Sequence, residues 1–486
     1  MKKGKTRKII AFLLAAVMVL AMCIPAMAAD NYTITVNNAK NGETYTAYKI
    51  FDASYASETD NAVSYTADKA IVDLITNNGG VNGLTFKQIG NSDKFVVTLD
   101  NNLNENQRGE MAKQLAELLH RVTNELKGEE LSKITSPISV KAGDSGATIT
   151  VPSKGYYFVD TTLGSLCALG TAKNVTVDEK NTIPSEEKTV SDTENGNYGE
   201  NANAQIGDKV YYQIKVTDSK GTDKAITVHD TMSKGLTLDT GSISVTKDGQ
   251  IVSEDNYSKK MTGLTDGCTF EVTLKDKYVK TLEENDVVVI KYSATLNEQA
   301  VAGTDETNTS KLTYSNQTTT DKTTVKTYKF QVKKYDGADA KDEVEAKDSK
   351  VKNLGGAHFK LLDENKNPVK LVKVKDTEYR VANGDESGAV NEFVTVDSGN
   401  ITITGVDADE GYFIEETEAP AGYNKLTGPK SITVNADNSL VQPVENNKGT
   451  ALPSTGGRGT RIFYLVGIIC VAGAGIVLVS RRRMSR

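Results

Sequence analysis

From Ala29 to Thr455 the chain is written in short alternating runs rich in Thr, Val, Tyr and Ile, separated by clusters of Gly, Asn and Asp. Tyr32–Val36, Lys209–Thr217, Asp286–Thr295, Thr327–Lys333 and Asn400–Thr404 are clear examples. A period of two sends successive side chains to opposite faces of a strand, and β-branched and aromatic residues suit that pleated surface. Many such runs, punctuated by turn residues, predict a mainly β protein of tandem sandwiches. One stretch obeys another period. Met111, Leu115, Leu118, Leu119, Val122 and Leu126 recur at helical spacing, with Asn104 or Asn106 available as caps, and a shorter helix is expected around Asp68–Ile75. Helical insertions are thus confined to the first third.

A chain of 486 residues is too long for one core, and polarity rises at Asp178–Glu187, Asn316–Thr324 and Lys448–Ala451. The expected division is 1–28, 29–181, 182–326, 327–447 and 448–486. A faint repeat, Gly155–Thr161 against Gly411–Thr417, suggests related sandwiches on either side of a different one. Eleven of the 57 basic side chains lie in residues 1–28 and 456–486, which hold no acid. The stretch between is therefore much more acidic than the formal charge of −7 implies, and it lacks the basic footprint of a nucleic-acid binder. Cys23 and Cys470 sit in the apolar ends, leaving Cys167 and Cys268 for the long middle, too few for a disulfide framework. The three histidines, His120, His229 and His358, fall in different segments, so a shared zinc site is not expected, and no cofactor is called for.

Each end carries an address. A basic start, an apolar run from Ile9 to Pro25 and Ala26-Met27-Ala28 make a secretory signal peptide with cleavage after Ala28. At the other end stand Leu452-Pro453-Ser454-Thr455-Gly456, an apolar span over 462–479 and Arg481-Arg482-Arg483. This order of motif, span and basic tail resembles the LPXTG cell-wall sorting signal of Gram-positive surface proteins. The resemblance implies that a sortase cysteine attacks the Thr455 carbonyl, releases Gly456 onward and passes the acyl group to an amine.

The last sandwich opens with Phe330-Gln331-Val332-Lys333-Lys334. Alternation puts Lys334 on the apolar face with Phe330 and Val332, and Lys333 in solvent. A lysine buried there loses basicity. Leu354–Leu361, Glu416-Thr417-Glu418-Ala419-Pro420-Ala421-Gly422-Tyr423 and Val444-Glu445-Asn446-Asn447 follow. Residues 327–447 resemble a collagen-adhesin B-type (Cna B-type) domain of Gram-positive pilins. That resemblance implies an isopeptide bond between Lys334 and Asn446, assisted by Glu416, with Asn447 the alternative electrophile. The preceding segment holds Glu187-Lys188-Thr189, Val228-His229-Asp230-Thr231 and Thr307-Asn308-Thr309. It resembles the D2 (A-type) domain of fimbrial shaft subunits, which implies Lys188, Asn308 and the assisting acid Asp230. In the first sandwich Lys49 and Asp160 occupy parallel positions and Asn174 could supply an electrophile. There Asp replaces Glu and the Ala-Pro-x-Gly-Tyr tail is missing.

Between the first two sandwiches stands Val175-Thr176-Val177-Asp178-Glu179-Lys180-Asn181. It is similar to the pilin motif Val-x-Val-Tyr-Pro-Lys-Asn, departing from it at Asp178-Glu179. The resemblance implies that Lys180 is the amine acceptor for Thr455 of another subunit. Taken together the chain resembles a sortase-assembled major pilin of the SpaA type, with immunoglobulin-like, Cna-type domains. Its implied partners are a class C pilus sortase, a housekeeping sortase, identical subunits, a peptidoglycan precursor, and accessory pilins or host-surface ligands. Such a protein is a sortase substrate, secreted and wall-anchored, and no enzyme. A monomeric wall-anchored adhesin or an accessory pilin is the alternative. No catalytic dyad, phosphate loop or metal-ligand spacing points to a hydrolase.

Overall fold

The computed structural model describes residues 31–55, 63–100, 102–124, 129–340, 342–347, 350–449 and 458–484. Strand outweighs helix 46% to 15%, so the chain is mainly β as its alternation implies. It divides into two compact units, one running to Val325 and the other from Lys326 onward, with 203–207 and 300–304 belonging to the second.

The first unit begins with a three-stranded sheet, Val175–Asp178, Tyr32–Asn37 and Ala147–Val151, and a larger sheet centred on Thr44–Tyr55 and Gly155–Thr161. Ile34, Val36, Tyr45, Ile149, Tyr157 and Val177 fill the space between them. The other face of the larger sheet is covered by helices Lys69–Asn77, Glu105–Asn124 and Glu129–Thr135, the last not expected from sequence. Asn104 starts the long helix. Its Oδ1 accepts from Gln107 N–H at 2.9 Å while Gln107 Oε1 accepts from Asn104 N–H at 3.0 Å, a reciprocal capping box. Met111, Leu115, Leu118, Leu119 and Val122 lie on its buried side as the spacing predicts, and Leu126 lies outside the described residues.

The rest of the first unit is a two-sheet sandwich. Ser185–Ser191, Lys209–Thr217 and Val287–Leu296 are consecutive neighbours in one sheet. Gln317–Lys326, Glu306–Tyr314, Ile226–Met232 and Phe270–Leu274 are consecutive in the other. Glu306–Tyr314 buries every second residue, so Asn308 falls on an inward beat. The same alternation turns Asp230 inward and His229 outward.

The second unit holds a further sandwich. In one sheet Tyr328–Asp336 lies between Asn400–Val406 and Val441–Asn446; the other contains His358–Leu362, Gly411–Glu418 and Lys430–Thr433. Tyr328–Asp336 and Val441–Asn446 run parallel, with Lys334 opposite Val444 and Asp336 opposite Asn446. Helix Arg458–Met484 closes the described chain, and its Phe463–Arg482 segment, with mean hydropathy 2.4, is long and apolar enough to cross a membrane.

Candidate functional site

Two buried polar clusters, one in the middle sandwich and one in the last, gather the six residues of the two expected lysine–asparagine sets. In the first, Lys188, Asp230 and Asn308 are all 0–1% exposed. Lys188 Nζ donates to Asp230 Oδ2 and, at 2.5 Å, to the Tyr292 hydroxyl. That hydroxyl also donates to Asp230 Oδ2 and accepts from Asn308 Nδ2 at 3.1 Å. Tyr292 therefore touches all three partners. Sequence reasoning missed this role, although Val288, Ile290, Tyr292 and Ala294 share the inward beat of one strand. Lys188 Nζ sits over the rings of Tyr292 and Tyr212, 5.2 and 5.4 Å from their centroids. Burial is the largest influence on both charged partners. It lowers the Lys188 pKa and raises that of Asp230, against their mutual attraction. Such a pocket favours a neutral amine beside a protonated carboxyl. Asp230 Oδ1 and Asn308 Oδ1 have no hydrogen-bond partner, leaving the amide oxygen unopposed beside an acid.

In the last sandwich Lys334 faces Glu416 from the opposite sheet, Nζ to Oε1 3.5 Å, and donates to Val444 O at 3.1 Å. Asn446 Nδ2 donates to Glu416 Oε2 at 2.9 Å and to Asn424 O at 2.8 Å. Burial, only partly offset by Glu416, brings the Lys334 pKa down from 10.5 to about 8. Asn447 is exposed, so Asn446 is the residue that turns inward. Lys333, expected in solvent, is 6% exposed and buried as well, at the end of the strand where Tyr335 on the same face packs with Ala346 and Val351 from the segment that follows.

The turn after Glu416 explains the Ala-Pro-x-Gly-Tyr tail. Gly422 adopts φ +89°, a conformation that favours glycine, and Tyr423 N–H returns to Pro420 O. The Tyr423 hydroxyl then donates to Asp336 Oδ2 at 2.7 Å. The loop so fixed presents Asn424 O to Asn446 and Leu426 N–H to Glu416 Oε2 at 2.8 Å.

The first sandwich differs. Lys49 pairs with Asp52 and donates to Ser153 Oγ at 2.9 Å. Asn174, exposed at φ +66°, accepts from Thr33 N–H and Oγ1. Asp160 binds His120 Nδ1 at 3.0 Å and accepts from Cys167 Sγ at 3.1 Å. Each of the three is committed to a different partner, and the third lysine–asparagine set read from the sequence is not assembled. The reason is local: Asp160 serves as counter-ion to His120, whose pKa rises to about 9 because Asp160 and Asp223 outweigh its burial.

Lys180 follows strand Val175–Asp178, whose Val177 is buried, and its side chain is exposed. Nζ rests on Cys167 O at 3.2 Å, at the edge of a cavity of about 450 Å³ lined also by Ala112, Ala116, Tyr156, Leu166 and Leu169. The departure from the pilin motif has a structural use. Glu179 Oε1 accepts from Asn181 N–H and Nδ2, and Asn181 grips both backbone groups of Leu166. Ala28 and Leu452, Pro453, Ser454, Thr455 and Gly456 lie outside the described residues.

Comparison with known proteins matches residues 340–448 to the SpaA prealbumin-like fold domain and 444–485 to the LPXTG cell wall anchor motif. The "Trypsin-resistant surface T6 protein" of Streptococcus pyogenes serotype M6 is 21% identical over 467 residues, covering 89% of this chain and 77% of that protein. Among solved structures, the T6 backbone pilin of the same serotype gives TM-score 0.46 at 17% identity, covering 83% of this chain and 80% of its own. The full-length major pilin SpaD from Corynebacterium diphtheriae gives 0.46 at 18%, covering 86% and 98%. These whole-chain likenesses are loose, and the class rests on the two matched segments. The chain is a cell-wall-anchored surface protein built from β-sandwiches. Its SpaA-type domain and LPXTG anchor meet the expectation of a sortase-assembled pilin.

Proposed function

We propose that this protein is the shaft subunit of a covalently polymerised pilus and that it staples two of its own sandwiches with lysine–asparagine bonds. The observation that carries the reading is the pair of fully buried Lys–acid–Asn clusters, which serve little purpose as ion pairs. Burying two charges costs several kcal/mol per ion, and a well-packed apolar substitute is commonly no less stable. As reactants they make sense. The neutral amine of Lys188 or Lys334 attacks Cγ of Asn308 or Asn446. The protonated Asp230 or Glu416 supports the amide oxygen and relays protons. The Nζ–Cγ bond forms, the Cγ–Nδ2 bond breaks, and ammonia leaves carrying the proton lost by the amine. This is single-turnover self-modification, and the protein is no enzyme.

Polymerisation uses different groups. A pilus sortase holds Thr455 as a thioester, and the Lys180 amine of another subunit displaces the sortase thiol. The exposure of Lys180 at the end of a strand supports that role. Joining one subunit's end to the side of the next is a heterologous contact that does not close, so it propagates a fibre. A housekeeping sortase would attach the finished fibre to a peptidoglycan precursor.

Two measurements test this. Co-expression with a pilus sortase is expected to give a high-mass ladder that Lys180→Ala abolishes; an intact ladder means that the chain is not joined through Lys180, leaving a monomeric adhesin or an accessory pilin. Intact mass is expected to fall short by two ammonia molecules, and no deficit would overturn the cross-links.

A further inference from the structure

The chain has only two cysteines between its apolar ends and three histidines, yet each of those cysteines meets a histidine and a carboxylate. The two meetings differ in geometry. At His120 the carboxylates stand on opposite ring nitrogens, Asp160 at Nδ1 and Asp223 at Nε2, so each N–H has an acceptor. At His229 both carboxylates stand on the same nitrogen. Asp266 Oδ2 is 2.9 Å and Glu271 Oε1 3.2 Å from Nδ1, with Cys268 Sγ at 4.0 Å. One N–H satisfies one acceptor well, whereas four donor atoms converging within 4.8 Å of one another surround a single point.

We propose that His229, Asp266, Cys268 and Glu271 form a zinc site on the outer face of the sandwich that carries Lys188 and Asn308. A tetrahedral ion about 2.0–2.3 Å from each ligand needs donors roughly 3.3–3.6 Å apart, and the observed 2.9, 3.2 and 4.0 Å bracket that spacing. One imidazole, one thiolate and two carboxylates suit zinc better than hard calcium or magnesium, which prefer all-oxygen sets. The fold supplies the set from two elements. His229 and Glu271 are directly opposed across strands Ile226–Met232 and Phe270–Leu274. Asp266 and Cys268 come from the turn before the second strand, where Gly267 takes φ +79°. Cys268 N–H holds Asp266 Oδ1 at 3.2 Å, which leaves Oδ2 to face His229.

An entry path exists, since His229, Asp266 and Glu271 side chains are 17%, 29% and 18% exposed. Zinc entry releases the Cys268 thiol proton and selects the His229 tautomer that carries its proton on Nε2. It also displaces the Lys311 amine, which stands 3.3 Å from Asp266 Oδ2. The ion would pin the turn to the strand whose next residue is Asp230, on the opposite face. The site does not depend on the cross-links.

The test is zinc stoichiometry of the full chain in detergent, by native mass spectrometry and by competition with a chromophoric chelator. One zinc is expected. His229→Gln and Cys268→Ser should each weaken binding by at least about tenfold, while His120→Gln leaves it unchanged. With cobalt in place of zinc, the near-ultraviolet thiolate band should vanish in Cys268→Ser. Absence of bound zinc in the unaltered chain, or unchanged affinity in both His229→Gln and Cys268→Ser, overturns the site. Loss of zinc in His120→Gln alone would assign it elsewhere and also overturns it. Should either substitution disturb the β circular-dichroism signal, Glu271→Gln replaces it with the same expectation.

Discussion

The two lysine–asparagine clusters use similar groups but distribute them over their sandwiches in opposite ways. In the middle sandwich the acid and the amide share a sheet, Asp230 on Ile226–Met232 and Asn308 on the neighbouring Glu306–Tyr314, while Lys188 and Tyr292 come from the facing sheet. In the last sandwich Lys334 and Asn446 lie on adjacent parallel strands, and the acid crosses over from the facing sheet. A bond in the middle sandwich would staple sheet to sheet, whereas one in the last would staple strand to strand. The environment of the lysine differs accordingly. Lys188 has the two oxygens of Asp230 and Tyr292 and aromatic faces, while Lys334 keeps a backbone carbonyl as well. The chemistry needs a dry pocket and three groups in reach, and neither the sheet of origin nor the choice of Asp or Glu is fixed by it.

The largest expected difference is in losing the acid. Asp230→Ala removes the acceptor shared by the Lys188 amine and the Tyr292 hydroxyl, leaves two buried polar groups short of a partner, and should cost about 3–5 kcal/mol. Glu416→Ala should cost less, because Val444 O still accepts from Lys334. Denaturant unfolding of the two variants compares them, and equal costs would erase the distinction.

The second difference is in pH. In an Asn446→Ala chain, which cannot form the bond, the folded pKa of Lys334 stays below its unfolded value of 10.5, near 8. The unfolded state then binds the extra proton between those values, so stability should climb by about 3 kcal/mol as pH rises from 8 to 10.5. Below pH 8 the burial penalty is present in full. A flat profile over that range would show that Lys334 is not buried as an uncompensated amine.

A smaller effect concerns the tyrosine that only the middle cluster has. Tyr292→Phe removes a hydroxyl shared by Lys188, Asp230 and Asn308, worth about 1–3 kcal/mol. Ammonia loss from that sandwich should slow roughly tenfold or more, with the other sandwich unaffected. Time-resolved intact mass separates the two. The smallest change is Tyr423→Phe, which frees the loop from Asp336 at a cost of about 1 kcal/mol, read as a lowered melting temperature.

Much of this was legible in the chain itself. Alternation placed Lys334 inward and helical spacing found Glu105–Asn124, while Asp230 and Asn308 were singled out by the resemblance to a shaft-subunit domain and prove to lie on inward beats. What escaped was whatever depends on a partner distant in sequence. Tyr292 reads as one more aromatic core residue until the facing sheet brings Lys188 against it. Lys333 reads as solvated until the segment carrying Ala346 and Val351 folds back over that end of the strand, against Tyr335. Lys49, Asn174 and Asp160 stand at plausible offsets, yet nearer partners claim each one: Asp52, Thr33 and His120. Offsets in sequence specify faces; they do not specify which of several neighbours wins.

The parallel pairing of Tyr328–Asp336 with Val441–Asn446 has one more consequence. Were Lys334 and Asn446 joined as proposed, every loop between them would belong to a closed covalent ring. A protease that cuts such a ring once opens it without dividing the molecule. The exposed Gly-, Asn- and Asp-rich turns of that sandwich could then be nicked singly, and the chain would stay in one piece.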